Sequence, residues 1–574
     1  MIPSYSRSGQ DAAVLLPLPW AFLRPVPVRI ATAAALLALC AAWILATLVG
    51  HDPWKPDEAY SFGLVLDFLE RGDWVVPMLA GEPFLEKPPL FFITASAFAR
   101  AFGGILPLHD AARLATGFYL VVALAFLALA TRRLHAGRHG WTAVLILLGS
   151  LGFAVRAHQL ITDVALLAGL SVGIYGLAWA RSRELRGGVA LGAGTAIAFL
   201  AKGLLGPGML ALTAVALLAH RGWRVRAYYR ALLVAAVAGL PAIVVWAASL
   251  YLRSPDLFAT WLVTNNFGRF LGFTDIGPHQ PRLFYTYTLL WYAFPALPLA
   301  AWSVWVAWRE RAGGDGAILL PLVLFVVMIG VLGAASDARE LYLMPVLLPL
   351  ALLATARIDR LPSHLASALS RLGIGGFGLA GLALWIGWIA LVTGTPAPLA
   401  QALAEHQPGF TAKFEGLAFG AAVLATIAWS WLALRPVGNA ERGIVHWTGG
   451  VTLCLSLVGT LWLPYIDAGK SYREMMGSLL AAVHGSDCVA SRALGEPQRA
   501  LLDYYGRLKT VREERVPGVF CNALLVQGWR ASGAPARGSD WTPVWEGARA
   551  GDDKELYRLY VRRQPRREAP GSVR

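Results

Sequence analysis

The sequence has 574 residues, of which 57% are hydrophobic and 15% are charged, and its mean hydropathy is +0.55. Ordinary soluble domains carry about 25% charged residues, and the apolar residues here form blocks long enough to cross a bilayer. A chain of soluble domains is therefore excluded. The formal net charge of +15 does not indicate nucleic-acid binding, because the arginines cluster in short loops between the apolar blocks. We expect a polytopic α-helical membrane protein with no nucleic-acid partner.

The apolar blocks predict about thirteen transmembrane helices. The long block at 189–219 exceeds one crossing, and Gly203, Gly206 and Pro207 break it. Arginines flank the block on both sides, so we expect it to cross twice and to leave Lys202 at the outer surface. The predicted spans are 29–50, 112–131, 141–156, 163–180, 189–202, 204–219, 231–252, 283–308, 317–334, 341–356, 373–394, 416–434 and 444–465.

The charge of the loops predicts the orientation of the chain. The loops that this assignment places in the cytoplasm contain 17 Lys and Arg against 5 Asp and Glu, whereas the first outer loop, 51–113, contains 5 basic and 9 acidic residues. Cytoplasmic loops of membrane proteins carry an excess of Lys and Arg. We therefore expect a protein of the bacterial inner membrane with a cytoplasmic N-terminus, and thirteen crossings place the region after 465 in the periplasm.

The polar region 466–574 predicts a small periplasmic α/β domain attached to a transmembrane unit of residues 1–465. It contains strand-like runs at 488–492, 524–527 and 556–561 and a helix-like run at 497–508. Cys488 and Cys521 are the two cysteines outside the predicted spans. An oxidising compartment favours a disulfide between them, and two unrelated buried thiols are the alternative.

The long outer loop 51–113 is the most informative segment, because long ordered loops tend to be functional. It predicts amphipathic helices at 58–70 and 90–102. The acidic pair Asp57–Glu58 stands at the start of the first of these helices, where carboxylates also serve as helix caps. The loop therefore offers either a catalytic carboxylate at the membrane surface or a capped helix.

Further charged residues are predicted at the same outer face. Asp163 opens a span and is either a second functional carboxylate or a helix cap. Glu86 and Lys87 are either site residues or a surface ion pair, and His279 is a lone loop histidine. Several cations at one membrane face favour an anion site, and a lipid phosphate is the obvious anion there; the cations are Lys87, Lys202, Arg269, Arg282 and Arg339.

These residues resemble those of the bacterial lipid-linked glycosyltransferases that include the lipid A aminoarabinose transferases and, more distantly, the protein O-mannosyltransferases. The resemblance covers essentially the whole membrane unit, and the first-loop motifs are its most specific part. The matching segments are 56–59 (PDEA), 72–75 (GDWV), 81–89 (GEPFLEKPP), 162–163, 201–203, 266–270 and 342–345 with Pro349.

The resemblance implies a C-type membrane glycosyltransferase fold that acts at the periplasmic face. It implies a sugar donor on undecaprenyl phosphate and an inverting transfer to lipid A, another envelope glycan or a protein. Asp57 and Asp163 match the catalytic acidic positions, and Glu86 and His279 match positions that can hold a divalent metal ion. The positions expected to bind substrate are Glu58, Lys87, Lys202, Arg269 and Tyr342.

One departure concerns the sugar. The aminoarabinose transferases typically have an arginine between the alanine and the tyrosine of this motif, whereas Tyr60 follows Ala59 directly here. The resemblance therefore implies the reaction class and leaves the sugar and the acceptor open. We expect a monomer in the lipid bilayer, with no cofactor beyond that metal ion.

A transporter or flippase of a lipid-linked glycan is the alternative function. It shares many spans and a cation-lined cavity, but it places ionisable residues near the membrane midplane of several helices. The charged residues here collect at one face. A membrane sensor with a periplasmic ligand domain would explain the region 466–574 but not the loop 51–113.

Overall fold

The computed structural model describes residues 30–274, 280–281, 283–312, 314–435, 441–483, 488–518, 520–530, 540–552 and 554–562. Long apolar helices make up most of this chain, because the backbone N–H and C=O groups of a membrane span must be satisfied within the span. The helices up to residue 271 are α1 (Ile30–Leu45), α2 (Asp57–Arg71), α3 (Leu90–Phe102), α4 (Leu108–Leu134), α5 (Gly140–Leu148), α6 (Leu151–Arg156), α7 (Thr162–Ala180), α8 (Glu184–Lys202), α9 (Leu205–Leu217), α10 (Arg226–Arg253), α11 (Pro255–Ala259) and α12 (Arg269–Leu271).

The remaining helices complete the membrane unit and begin the C-terminal region. They are α13 (Phe284–Tyr292), α14 (Ala296–Arg309), α15 (Gly316–Ala334), α16 (Leu347–Ala356), α17 (Ser363–Arg371), α18 (Phe377–Thr393), α19 (Ala397–His406), α20 (Gly416–Leu434), α21 (Arg442–Leu457), α22 (Leu463–Lys470), α23 (Arg473–Val483) and α24 (Glu496–Gly506). Helix α22 crosses the predicted domain boundary at residue 465. The boundary therefore does not coincide with the end of a helix.

Eight helices in the described ranges are long and apolar enough to cross a membrane, or nine if α13 and α14, which meet at 97°, form one broken span. Four more apolar helices are shorter. The chain is thus a multi-pass membrane protein. The predicted break after Lys202 is confirmed, since α8 ends there and α9 begins at Leu205. The count of thirteen spans stays a prediction.

Helices α7 and α8 form the closely packed centre of the membrane unit. A Cβ added at Gly194 of α8 would lie 2.3 Å from the backbone nitrogen of Gly173 in α7, and one at Gly176 would lie 2.3 Å from that of Leu191. Small residues allow membrane helices to approach at backbone contact. This contact holds the start of α7 beside the end of α8, and both ends contribute to the site described below.

The C-terminal region contains a five-stranded mixed sheet of order β4–β3–β5–β7–β6. Its strands are β3 (Val489–Arg492), β4 (Val511–Arg512), β5 (Ala523–Trp529), β6 (Trp541–Gly547) and β7 (Glu555–Arg562), while β1 (Met78–Leu79) and β2 (Glu82–Pro83) form a hairpin in the first loop. Strand β3 runs parallel to β4 and β5, and β7 pairs antiparallel with β5 and β6. The three predicted strands and the predicted helix α24 are confirmed. Cys488 and Cys521 form the expected disulfide, with Cα atoms 4.9 Å apart.

The first loop and the C-terminal region pack directly on each other. Helix α24 lies so close to α2 that a Cβ added at Gly63 would lie 2.6 Å from that of Ala500. The Arg473 guanidinium donates to Asp52, with Nε 3.0 Å from Oδ2, and the Trp54 indole donates to Asp467 over 2.7 Å. These contacts hold the segment that leads into α2 and fix the position of its first residue, Asp57.

Candidate active site

A cavity of about 330 Å³ lies where the first loop meets the ends of several membrane helices. The start of α2 and of α7, the end of α8 and of α15, and the segments 265–270 and 335–342 surround it. One part of its wall is charged, with four cations and four carboxylates; these are Lys87, Lys202, Arg269 and Arg339 with Asp57, Glu86, Asp163 and Asp337. The other part is apolar and contains Leu204, Leu205, Leu212, Phe267, Phe270, Val331 and Leu332. The cavity therefore combines a charged wall, in which cations and carboxylates are equal in number, with an apolar wall.

Asp57 is the first residue of α2, and Pro56 occupies the N-cap position. The Asp57 carboxylate accepts a hydrogen bond from the Tyr60 hydroxyl over 3.2 Å and lies 3.8 Å from Nη1 of Arg339. Its side chain thus lines the cavity. Burial first, and then the charges of Asp57 and Glu86, raise the pKa of Tyr60 well above its usual value, so the phenol keeps its proton.

Lys87 differs from the other cations of the cavity. Its ammonium donates to the Tyr60 hydroxyl and lies 4.8 Å from the centre of the Tyr60 ring. In the described part of the chain no carboxylate lies within ion-pairing distance of Lys87. It is therefore the cation whose charge is left for a bound anion.

Lys202 and Asp163 form a buried ion pair in the wall of the cavity. The Asp163 side chain is only 2% exposed, and the Lys202 ammonium lies 4.3 Å from the centre of the Tyr342 ring. Because the end of α8 packs beside the start of α7, the two charges meet at one membrane face. The capping interpretation of Asp163 does not account for this contact.

Arg269 joins the remaining carboxylates of the site. Its guanidinium donates to Asp337 over 2.9 Å and to Glu86 over 3.1 Å, and it lies 3.4 Å from the Tyr342 hydroxyl. Tyr342 in turn donates to Asp337 over 2.9 Å. This cluster ties the first loop to segments that precede α13 and α16, so it fixes the far wall of the cavity.

Glu58 is not brought into the cavity, which corrects its predicted place among the substrate-binding residues. Its carboxylate accepts hydrogen bonds from Nε of Arg113 and the backbone N–H of Leu160, both over 3.0 Å. Burial alone would raise the pKa of Glu58, but the charge of Arg113 lowers it below its usual value. Successive helical residues lie about 100° apart around the axis, so Glu58 points into the protein when Asp57 faces the cavity.

The predicted metal position receives no complete ligand set. His279 lies outside the described residues, and Glu86 is paired with Arg269. Within the described ranges no three His, Cys, Asp or Glu side chains gather as a metal site. Because one of its two predicted ligands lies outside the described residues, the metal site stays a prediction.

Tyr60 and Asp337, which contact the charged side chains of the cavity, were not predicted as site residues from the sequence. Tyr60 stands three residues after Asp57, a spacing that places both on one face of a helix, so the helical period was a usable signal. Asp337 lies in a short segment after α15 and reaches the site through contacts with Arg269. Nothing in the local sequence indicates that long-range contact.

Comparison with known proteins agrees with this geometry. An undecaprenyl phosphate-α-4-amino-4-deoxy-L-arabinose arabinosyl transferase of Edwardsiella ictaluri is 27% identical over 489 residues, which cover 81% of this chain and 83% of that protein. The protein of the same name from Pseudomonas aeruginosa is 31% identical over 368 residues, covering 62% and 64%. The chain is therefore similar to these arabinosyl transferases. No protein-family model matches it.

The fold is also similar to that of a solved protein. The crystal structure of ArnT from Cupriavidus metallidurans bound to undecaprenyl phosphate superposes with a TM-score of 0.66 at 17% identity, over 92% of this chain and 97% of that one. The predicted resemblance is thereby confirmed. The transporter alternative receives no support from these comparisons.

Proposed function

We propose that this protein is a glycosyltransferase that moves a sugar from undecaprenyl phosphate to an acceptor at the periplasmic face of the bacterial inner membrane. The observation that supports this best is the cavity itself, which is lined by Asp57, by apolar side chains and by Lys87, a cation without a carboxylate partner among the described residues. A polyprenyl phosphate has an anionic head and a hydrocarbon tail that match these two surfaces. The donor named for the relatives has the same chemistry.

In the proposed reaction an acceptor oxygen attacks the anomeric carbon of the sugar. The bond between that carbon and the phosphate oxygen breaks, and undecaprenyl phosphate leaves with the electron pair. Lys87, supported by Lys202, stabilises the charge that develops on the phosphate. Asp57 receives the proton of an acceptor hydroxyl. One displacement inverts the anomeric centre and needs no covalent intermediate with the enzyme.

The other charged residues of the site hold the reacting groups in position. Arg269 and Arg339 hold Asp337 and Asp57 in place and supply further positive charge. Asp163 keeps Lys202 at the membrane face. The acceptor is lipid A, another envelope glycan or a protein.

The proposed topology follows from the loop charges. The arginine-rich loops face the cytoplasm, the cavity and the loop 51–113 face the periplasm, and thirteen crossings place residues 466–574 there as a separate α/β domain. The disulfide between Cys488 and Cys521 supports the periplasmic location of residues 466–574, because disulfides persist in oxidising compartments.

Two measurements test the function. Mass spectrometry of lipid A, surface glycans and envelope proteins should find a glycan that a deletion strain lacks and that the wild-type strain carries. The purified enzyme in detergent should then transfer the sugar from an undecaprenyl phosphate donor to that molecule. A flippase has no membrane to work across in detergent, so the absence of a covalent product there, with an intact donor, would contradict the proposal.

A further inference from the structure

A second cavity, of about 430 Å³, lies between α14, α15 and α16, and we call it the α14 groove. Its lining residues are all hydrophobic, and six of them belong to α14; these are Leu297, Ala300, Ala301, Val304, Trp305 and Trp308. They recur every three or four positions, so they share one face of the helix and the groove follows the helix axis. Leu297 and Trp308 are eleven positions apart, which is about 16 Å along an α-helix. The length and direction of the groove suit an extended hydrocarbon chain.

The α14 groove is separate from the cavity of the candidate active site. Among the described residues none lines both. On α15 the groove is lined by Leu322 and Phe325, whereas the cavity is lined by Val331 and Leu332. Phe325 and Val331 are six positions apart, about 9 Å along a helix. The groove therefore lies nearer the start of this helix, and the cavity lies near its end.

A cation without an acidic partner stands at one end of the α14 groove. The Arg309 guanidinium lies 4.8 Å from the centre of the Trp305 ring, so it is held against a residue of the groove. In the part of the chain that the structure describes, no carboxylate lies within ion-pairing distance of Arg309; the adjacent Glu310 pairs with Arg357 and Arg360 instead. Arg309 is also exposed. Its charge is therefore left for an anion at the mouth of the groove.

This end of the groove has the composition of a membrane interface. Trp305 and Trp308 are 42% and 74% exposed, and tryptophans of membrane proteins concentrate where the hydrocarbon meets the head groups. Arg309 ends α14 and Arg311 follows it, in one of the arginine-rich loops that the proposed topology places in the cytoplasm. Anionic lipids of the cytoplasmic leaflet attract such cations. The groove itself offers water no charged or hydroxyl side chain, so hydrocarbon is the occupant that fits it.

We infer that the α14 groove binds an anionic phospholipid of the cytoplasmic leaflet, with one acyl chain along α14 and the head-group phosphate at Arg309. Each methylene group of the chain that is buried adds favourable free energy, and a guanidinium binds phosphate through charge-assisted hydrogen bonds. The site goes beyond the proposed function, because it uses none of the residues that line the cavity of the candidate active site. A lipid bound there contacts α14, α15 and α16 together, so it should stabilise their packing.

Native mass spectrometry of the full-length protein in detergent tests the inference, with phosphatidylglycerol and phosphatidylcholine of the same acyl chains as probes. The wild type should bind phosphatidylglycerol roughly tenfold or more tightly, the effect of one hydrogen bond to a charged group, because the choline cation offsets the phosphate charge of the other lipid. Arg309→Gln should lose most of this preference. Arg183→Gln is the matched control, since Arg183 is exposed in the loop between α7 and α8 and does not line the groove; its preference should remain.

A second pair of variants tests the place of the acyl chain. Ala301 is exposed and lines the groove, so the indole of Ala301→Trp occupies the space of the chain and should weaken binding of both phospholipids. Ala428→Trp places the same group on the exposed surface of α20 and should bind both lipids as the wild type does. Added phosphatidylglycerol should raise the melting temperature of the wild type and of Ala428→Trp, but not that of Ala301→Trp.

Equal affinity of the wild type for the two phospholipids, or an unchanged preference in Arg309→Gln, would indicate exchangeable boundary lipid and overturn the inference. Inorganic phosphate and undecaprenyl phosphate offer the same anionic group without the phospholipid, and neither should displace phosphatidylglycerol at equal concentration. Displacement by inorganic phosphate would indicate a site for a free anion, and displacement by undecaprenyl phosphate would indicate a polyprenyl site; either result would overturn the inference. Loss of undecaprenyl phosphate binding in Lys87→Ala, with phosphatidylglycerol binding intact, would show that the two lipid sites are independent.

Discussion

Arg339 and Asp57 face each other in the cavity, with Nη1 3.8 Å from Oδ1. The two residues come from segments 282 positions apart, so the fold has to bring them together. The Tyr60 hydroxyl donates to the same carboxylate oxygen. A carboxylate held between a guanidinium and a phenol keeps one orientation, which a base acting on a bound acceptor requires.

Asp57→Asn should abolish transfer and leave the fold intact. Asparagine keeps the size of the side chain, but it cannot accept a proton. Because Pro56 is the N-cap, the variant loses only the interaction of the Asp57 charge with the helix dipole, about 0.3–1 kcal/mol. We expect transfer to fall by roughly 10²- to 10⁴-fold, the usual contribution of a general base. The measurement is transfer by the purified variant together with its melting temperature.

Asp256→Asn is the matched control, since Asp256 is an exposed aspartate in the first turn of α11. It should retain wild-type transfer. If the acceptor is a phosphate oxygen, no proton has to be removed, and the loss in Asp57→Asn should be milder. Full activity of Asp57→Asn at normal stability would show that the residue only supports the start of α2.

Lys87→Ala should weaken binding of undecaprenyl phosphate. Lys87 has no carboxylate partner among the described residues, so its charge is available to the donor phosphate. Loss of a hydrogen bond to a charged group costs about 1.5–3 kcal/mol, which corresponds to about 10- to 100-fold in Kd. Lys87→Arg should retain part of the affinity, because a guanidinium also donates charge-assisted hydrogen bonds to a phosphate.

The exposed Lys413 in the segment before α20 provides the control for this experiment. Lys413→Ala removes the same charge at a residue that does not line the cavity and should leave the donor Kd unchanged. Equal donor binding by Lys87→Ala and the wild type would remove Lys87 from the phosphate site.

The sequence allowed much of the membrane unit to be predicted, because local composition determines where an apolar helix starts and stops. The break after Lys202 follows from Gly203, Gly206 and Pro207, and the helices of the first loop follow from their amphipathic period. The same local signals indicated Asp57 and Lys87. Each of these features depends on residues that are neighbours in sequence.

The features that the sequence did not reveal depend on contacts between distant segments. Glu58 pairs with Arg113, 55 positions away, and Asp337 meets Arg269, 68 positions away. Which of two adjacent acidic residues faces the cavity depends on the rotation of α2 against its neighbours, and packing sets that rotation. A motif in one segment cannot distinguish the two.

Glu58→Gln tests the corrected role of this residue. Arg113 is fully buried and would lose the charge of one of its partners, and breaking a buried ion pair from one side costs about 3–5 kcal/mol. The free energy of unfolding should therefore fall. The donor Kd of the folded variant should not change, because Glu58 does not line the cavity. A weaker donor Kd at unchanged stability would restore Glu58 to the substrate site.

The stabilising effect of Glu58 should depend on pH. The pKa of Glu58 is lowered in the folded protein, so its charge stabilises the fold fully above the unfolded value of about 4.3. That contribution is lost as the pH falls through the lower folded value. The stability difference between wild type and Glu58→Gln, measured by denaturation in detergent, should therefore be constant near neutral pH and shrink in acid.

The disulfide between Cys488 and Cys521 should stabilise the C-terminal sheet, and it supports a periplasmic location for that sheet. The bond closes a loop with a sequence separation of 33, and its removal in a double Cys→Ala variant should cost about 3–4 kcal/mol. In denatured protein without reductant, a thiol reagent should label two cysteines, Cys40 and Cys454, and reduction should expose all four. Labelling of four cysteines before reduction would contradict both the bond and the periplasmic location it supports.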